Sequence, residues 1–385
     1  MQVTVEKLVQ GGSGFTRLDT NKSLFVDGAL PGEVVEVSID EEKKGYAKAH
    51  VVTILQASGD RVTPACPYFG VCGGCDLQHL DSSVQPSIKC QMVLENLQRI
   101  GGIKREDFLL EETAFDRPWA YRSRVRFHVD VAKRQIGFLA KKSNDLVPIE
   151  QCPILVDSLN ELLAKKDRIL AGARALMFST RGKGTRYVEV NAFVGDKDVS
   201  LSDEVVTTVV DGHRFFVSAN VFFQGNQFLL PAMASFVRSQ VKGSTVMDLY
   251  SGVGTFSSFL AEEGRLLIAV ERQKECLALA KRNVPSLEVY SDDVQLWARK
   301  QKRPVDTVVV DPPRTGLEEG LPSLIASWKA QRVIYVSCDS VTLARDLQRF
   351  AQQGYTVRSV KVFDLYPQTF HQEVAVVMDR EELTL

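Results

Sequence analysis

An α/β fold in three parts is what the sequence predicts: an N-terminal OB-like β-barrel over residues 1–57, a central α+β domain over 58–218, and a C-terminal α/β domain over 219–385. Three observations lead there. Residues 1–57 alternate apolar and polar with Gly and Pro punctuation and no helical period, as short strands of a small closed sheet do. From residue 219 onward, apolar runs ending in Asp or Glu alternate with helical segments, the mark of a parallel sheet with crossover helices. Between the two lie clustered cysteines and a basic stretch that follow neither pattern.

Composition narrows the function. The chain has 385 residues, 44% hydrophobic and 25% charged, which is ordinary for a globular protein with more than one core. Its net charge is −1, so an acidic partner must be met by a local patch. No apolar run approaches the ~18 residues of a membrane span and no export leader opens the chain, so it reads as a cytoplasmic monomer with no membrane partner.

In the N-terminal part, "VTVEKLV", "KSLFVDGALPGEVVEVSID" and "YAKAHVVTIL" read as strands around the loop "QGGSGF" and the turn "EEKKG". Six basic residues face eight acids there, so binding of an anion by the barrel cannot rest on net charge. A cysteine-rich link at 64–79 precedes a helix around 84–100 that ends at "GG" and is expected to pack on the C-terminal domain.

Seven cysteines in a chain without an export signal favour metal or catalytic use over disulfides. "CPYFGVCGGC" spaces Cys66, Cys72 and Cys75 as C-x5-C-x2-C, and Cys152 in "EQCPI" is the candidate fourth ligand. Four thiolates hold zinc or an iron–sulfur cluster. Zinc prefers paired C-x2-C knuckles, whereas three near cysteines plus one remote, with Pro after the first and last, point to a [4Fe-4S] cluster. Its expected work is to staple the link to the basic domain, since closing a long loop lowers unfolded-chain entropy. Cys90 and Cys276 read as helix packing.

From Arg117 to Lys142 eight Lys or Arg stand against the single acid Asp130, interleaved with Trp119, Tyr121, Phe127 and Phe138. "YRSRVRFHV" alternates basic and apolar residues, so Arg122, Arg124 and Arg126 share one strand face suited to phosphates, with Lys133 and Arg134 beyond. A solvated strand face would show the same pattern.

The C-terminal part carries a nucleoside signature. "TVMDLYSGVGTF" sets a strand, Thr245–Tyr250, before a glycine turn and a helix. The next strand ends in Glu271, placed to accept both ribose hydroxyls; later strands end in Asp292, Asp293 and Asp311, all at carboxyl ends, where such sheets bind ligands. The turn lacks a glycine of the nicotinamide fingerprint and any phosphate-binding GK[ST], so S-adenosylmethionine fits better than a dinucleotide. The fifth strand, Arg332–Val336, ends just before Cys338, and a helix capped by Ser340 follows. That position is expected to lower the thiol pKa. If the last two strands form an antiparallel hairpin whose final strand lies beside the fifth, Glu373 falls next to Cys338.

The motifs "FFQGN" (222–226), "DLYSGVGTF" (248–256), "VDPPRTG" (310–316), "VSCDS" (336–340) and "HQEVAVV" (371–377) together make the chain resemble the RNA uracil-5-methyltransferases of the iron–sulfur, TRAM-containing type that act on large-subunit ribosomal RNA. The glycine loop and "LPGE" turn of the barrel are similar to the TRAM domain, an RNA-binding module. The resemblance implies a C-terminal Rossmann-like class I methyltransferase domain, S-adenosylmethionine contacts from Gln224, Tyr250, Glu271 and Asp311 with Thr255 and Asp293 as further candidates, Cys338 as nucleophile and Glu373 as base. Departures are Gly225, Asp339-Ser340 and Val374, where the family often has Val, a Pro-containing pair and Thr.

The implied chemistry is coherent. Uracil C5 is a poor nucleophile until a thiolate adds at C6; C5 then accepts the methyl group, and a base removes its proton so that the thiolate can leave. The target base must be splayed out of a folded RNA to reach the pocket. A cytosine-5 enzyme needs a second cysteine beside the proline of strand four, absent from "DPPR"; an amino-group enzyme has an aromatic residue where Arg314 stands. The same motifs allow transfer RNA as the target, and a non-catalytic, cluster-bearing RNA-binding or redox protein is the rival outside enzymology.

Overall fold

The computed structural model describes residues 1–179 and 186–381. Six strands between Gln2 and Gln56 form the first sheet. Gln2–Thr4 pairs with Val34–Glu42 at one end of it, and Lys7–Leu8 pairs with Gly14–Arg17 at the other. Val5 and Glu6 alone separate those two pieces, so one bent strand closes the sheet into a barrel without free edges. Alternation buries Leu24, Val26, Val35, Val37, Ala47 and Ala49 inside. Glu33 of the "LPGE" turn is fully buried, accepting from the Leu30 N–H (2.8 Å) and from Arg61 Nε (2.5 Å), which ties the barrel to the cysteine link.

The central part holds a five-stranded antiparallel sheet, ordered Leu146–Pro148, Gln135–Leu139, Arg124–Asp130, Val188–Val194, Val199–Leu201. Helices Asp157–Lys165 and Asp167–Ser179 pack on its apolar face, where Val125, Phe127 and Val129 point. The basic residues between them therefore face the other way.

The C-terminal sheet runs Glu288–Ser291, Leu266–Glu271, Thr245–Leu249, Thr307–Val310, Arg332–Ser337, Glu373–Arg380, Tyr355–Phe363, Leu109–Leu110. Its first five strands are parallel, and Glu373–Arg380 lies antiparallel to Arg332–Ser337. Strand order reverses beside Thr245–Leu249, which opens a crevice at the carboxyl ends. Two features lie outside the sequence reading. Leu109–Leu110 extends this sheet from the central segment. The hairpin Val205–Val210/His213–Ser218 shares a hydrophobic core with helix Leu230–Gln240, so one core runs across residue 218.

Helix Gln85–Gly101 packs on helix Ser340–Ala351, which follows the fifth strand. Pro86 starts the helix, and Gly102 at φ 68° ends it in the left-handed conformation that glycine adopts without strain. Among the described residues no helix is long and apolar enough to cross a membrane.

Candidate active site and cysteine-lined cavity

The site is built on the end of one antiparallel ladder. Strands Arg332–Ser337 and Glu373–Arg380 pair Val336 with Ala375 and Ser337 with Val374. One step further, the same register sets Cys338 opposite Glu373, with Cα atoms of such pairs ~4.5–5.5 Å apart. Glu373 is only 2% exposed. Its Oε1 accepts from the Tyr366 hydroxyl at 3.4 Å, while its Oε2 is buried and has no partner. Burial, then the nearby Asp311, pushes the Glu373 carboxyl well above its usual range. A buried acceptor with no donor is costly and points to an absent group.

Cys338 departs from expectation in its electrostatics. Burial, then Glu373 and Asp311, pushes the thiol up to about 12, against a lowering by Arg314. The helix cap is Asp339, not Ser340: its carboxylate accepts from the Val341 and Thr342 N–H groups, both at 2.9 Å. The free amides of the helix are thus turned to Asp339 rather than to the sulfur. Ser340 is buried instead and its hydroxyl accepts from Asn96 Nδ2 (2.9 Å) and Gln372 Nε2 (3.2 Å), tying helix Gln85–Gly101 to the turn that carries Cys338.

Of the other predicted positions, Tyr250, Glu271, Asp293 and Asp311 stand at or just past the carboxyl ends of neighbouring strands, whereas Gln224 comes from the segment between His213–Ser218 and helix Leu230–Gln240. Gln224 is buried and accepts from Tyr366 at 3.3 Å. Glu271 accepts from the Gly252 N–H (3.2 Å) and Gln273 N–H (2.8 Å), which ties the glycine turn to the second strand. Tyr250 holds φ 61°, unusual for a bulky residue, and its hydroxyl donates to Glu318. Thr255 opens helix Thr255–Leu260 behind Gly254, where a Cβ would lie 3.2 Å from that of Ala280. Asp293 caps helix Val294–Lys300 by accepting from the Leu296 N–H. Asp311 is half-buried, and burial followed by Asp248 pushes it up to about 7. Sequence reasoning passed over Asp248: it is buried, accepts from the Ser257 N–H and hydroxyl, keeps Oδ1 unpartnered, and is raised to about 6 by burial. Its place in "DLYSG", at the end of a strand, was the available signal.

The loop 364–372 holds the parts together. Lys89, completely buried, donates to Asp364 (2.6 Å) and to the Tyr366 carbonyl (2.9 Å). Gln85 and Gln368 bond each other, Gln368 O accepts from the Asp76 and Leu77 N–H groups, and the buried Tyr121 donates to Pro367 O. Removing one member of a buried ion pair strands the other, so Lys89→Met is expected to cost about 3–5 kcal/mol of stability. Thermal unfolding with Lys89→Met/Asp364→Leu as control, which should recover most of that loss, checks it.

A cavity of about 460 Å³ adjoins this loop. Cys66, Cys72, Cys75 and Cys152 line it together with Arg122, Arg124, Arg126, Arg314, Tyr366 and His371. None of the four forms a disulfide. Burial pushes Cys75 up to about 12, with Cys152, Cys72 and Cys66 each adding to the rise, and Cys152 up to about 11. Asn160 grips Cys152 by accepting from its N–H (2.9 Å) and donating to its carbonyl (3.1 Å). Among the described residues, no three His, Cys, Asp or Glu groups stand close enough to hold a metal ion. Lys133 and Arg134 lie apart, on the hairpin turn, where Arg134 pairs with Asp167 at 3.3 Å. A second opening, about 230 Å³, is lined by Cys338, Arg314, His371, Phe370 and, from the barrel, Gln10 and Gly11.

Comparison with known proteins bears directly on this arrangement. A family model described as tRNA (uracil-5-)-methyltransferase matches residues 299–381, and one described as the TRAM domain matches 1–52. An uncharacterized RNA methyltransferase of Treponema denticola is 32% identical, over 96% of this chain and 97% of its own. The 23S rRNA (uracil(1939)-C(5))-methyltransferase RlmD of Shewanella halifaxensis is 31% identical, over 97% of this chain and 94% of its own. The Pyrococcus abyssi tRNA (uracil-54, C5)-methyltransferase, solved with S-adenosyl-L-homocysteine, superposes with TM-score 0.74 at 22% identity, covering 98% of this chain and 100% of that one.

Proposed function

This chain belongs to the RNA uracil-C5-methyltransferase family, and we propose that it moves a methyl group from S-adenosylmethionine to C5 of a uridine in 23S ribosomal RNA through a transient bond between the Cys338 sulfur and uracil C6. The observation that carries this reading is Glu373: buried, lacking any partner on Oε2, and one step past the Ser337–Val374 pair, the step at which Cys338 leaves the neighbouring strand. The choice of ribosomal RNA follows the Shewanella halifaxensis relative. Gln224, Tyr250, Thr255, Glu271, Asp293 and Asp311 hold the methyl donor, which supplies an electrophilic methyl group and a sulfonium charge. With the sulfonium charge bound nearby, the Cys338 thiol and the Glu373 carboxyl each give a proton to solvent; the thiolate adds to C6, C5 takes the methyl group as S-adenosylhomocysteine departs, and the Glu373 carboxylate accepts the C5 proton so that the sulfur can leave.

Transfer of that proton to solvent gives the test. RNA labelled as [5-3H]uridine should release tritium in step with methyl incorporation; methylation without tritium release refutes C5 as the target. Mapping methylated uridines in ribosomal and transfer RNA of a deletion strain decides between the two RNA classes.

Protonation should follow a definite direction. A thiol raised to about 12 is protonated at neutral pH, so its reaction with iodoacetamide should rise with pH. A cation beside Cys338 favours the thiolate. S-adenosylmethionine should therefore shift that profile to lower pH, whereas neutral S-adenosylhomocysteine should not. Mass spectrometry of the Cys338 peptide reads it.

The four cysteines match a [4Fe-4S] cluster in donor type and share one cavity wall, but they do not stand at metal-binding distance from one another. Drawn together, Cys66, Cys72, Cys75 and Cys152 would hold the cluster, which would supply metal–thiolate bonds that tie the link to the central domain. Anaerobically purified protein should contain about four iron atoms per chain, and Cys75→Ala should lose iron and thermal stability together. Zinc in place of iron would overturn the assignment.

Arg122, Arg124 and Arg126 face the same cavity and contact RNA phosphates. Affinity should fall steeply with salt, and Arg126→Ala should reduce the log–log slope by about 0.7, one single-strand phosphate contact. A salt-independent affinity contradicts this role.

A further inference from the structure

The barrel carries aromatic residues on the wrong side for packing. In Ser23–Asp27, Leu24 and Val26 point inward, so Phe25 points out; in Gly14–Arg17, Phe15 points out beside it. Their rings sit 5.7 Å apart edge to face, and Tyr46 continues the row at 6.1 Å from Phe25. All three are half-buried. Outward aromatic rows beside cations are what single-stranded nucleic acids stack on.

Phe15 and Phe25 form one wall of a cavity of about 420 Å³ between the barrel and helix Gln85–Gly101. Met92, Asn96 and Arg99 of that helix line it from the opposite side. Lys7 is tied to Glu95 at 2.6 Å, and Glu6 accepts from the Thr16 hydroxyl and the Arg17 N–H. Arg99 and Arg17, whose guanidinium donates to Asn21 at 2.9 Å, also line the cavity. Gln10 lines this cavity and also the opening of Cys338, and its buried Oε1 has no partner. Asn96 donates to Ser340, two residues from Cys338, so the wall is hydrogen-bonded to the turn that carries the sulfur.

We infer that this cavity is a binding site for a single unstacked base of the substrate RNA, a neighbour of the target uridine on the same strand. The inference rests on the reading of Cys338 as the reactive centre. Phe25 offers the stacking face, since the Lys7 ammonium already lies 5.5 Å from the Phe15 ring centroid, and Gln10 Oε1 accepts from a ring N–H or exocyclic amine. Glu95 is already paired with Lys7 and Glu6 accepts from Thr16 and the Arg17 N–H, so the unpartnered Gln10 Oε1 is the acceptor left for an amino-bearing base. Arg17 and Arg99 meet the adjoining backbone. The barrel thus reads the RNA beside the target without needing a net positive charge.

The test uses short RNAs containing the target uridine, with each flanking nucleotide in turn made abasic, and affinity measured on full-length Cys338→Ala protein. Removing the base at one flanking position should weaken binding about tenfold, the scale of one stacked base. Phe25→Ala and Gln10→Leu should each weaken binding of intact RNA and remove most of that position's effect. Gln10→Leu changes a loop residue, so the comparison survives even if Phe25→Ala unfolds the barrel. Unchanged affinity in Gln10→Leu and in a folded Phe25→Ala, or equal losses at every abasic position, overturns the inference. Failure of the covalent reading is separate: it would show as no adduct between Glu373→Gln protein and unmodified RNA.

Discussion

Glu373→Gln protein is expected to become covalently joined to its RNA in the presence of S-adenosylmethionine, giving a slow band on a denaturing gel. The amide keeps the size of the carboxylate and can still accept from the Tyr366 hydroxyl, which lies 3.4 Å from Oε1. It cannot accept the C5 proton, so the sulfur has no route off C6 and the methylated adduct accumulates. Turnover should fall by a factor on the order of 10²–10⁴, the range for one general base. Folding should not suffer. Burial and Asp311 already disfavour the charged form of Glu373, so a neutral isostere relieves a cost. Thermal unfolding should show no loss. Rapid turnover by Glu373→Gln with no trapped species would remove Glu373 from the mechanism.

Cys338→Ala should abolish methylation and the gel-shifted band together, with activity lower by at least about 10⁴, as when other covalent nucleophiles are deleted. RNA affinity should survive, because the basic face and the cavities lie on other elements. The double variant Cys338→Ala/Glu373→Gln should form no adduct. A band that persists there places the bond on another residue; the buried Cys276 and the four cavity cysteines are the thiols to examine next. The raised Cys338 thiol is consistent with a nucleophile that ionises when a cation and a substrate arrive, rather than one kept as thiolate in the resting protein.

Much of this was readable along the chain because it depends on local pattern. Closed-sheet alternation in residues 1–57, acids at the ends of successive apolar runs, and alternation in "YRSRVRFHV" each follow from a period of two or from a strand–turn–helix repeat. What escaped was non-local. Ser340 read as a cap because it stands before a helix, but Asp339 took the amides and Asn96, 244 residues away, took the serine. Asp248 showed only its place in "DLYSG" along the chain; its bond to Ser257 and its effect on Asp311 came from the fold. The Leu109–Leu110 edge strand is two residues long, too short to carry a period.

Residue order was sufficient to single out Cys338 and Glu373 as candidates and to place them at strand ends, since side-chain chemistry and short-range periodicity are properties of adjacent residues. Folding settled their energetics: that Cys338 and Glu373 are raised rather than lowered, that Gln10 from the barrel reaches the reactive sulfur's opening, and that three Arg and four Cys share one cavity. Ionisation and access depend on which distant segments exclude water, and only long-range packing determines that.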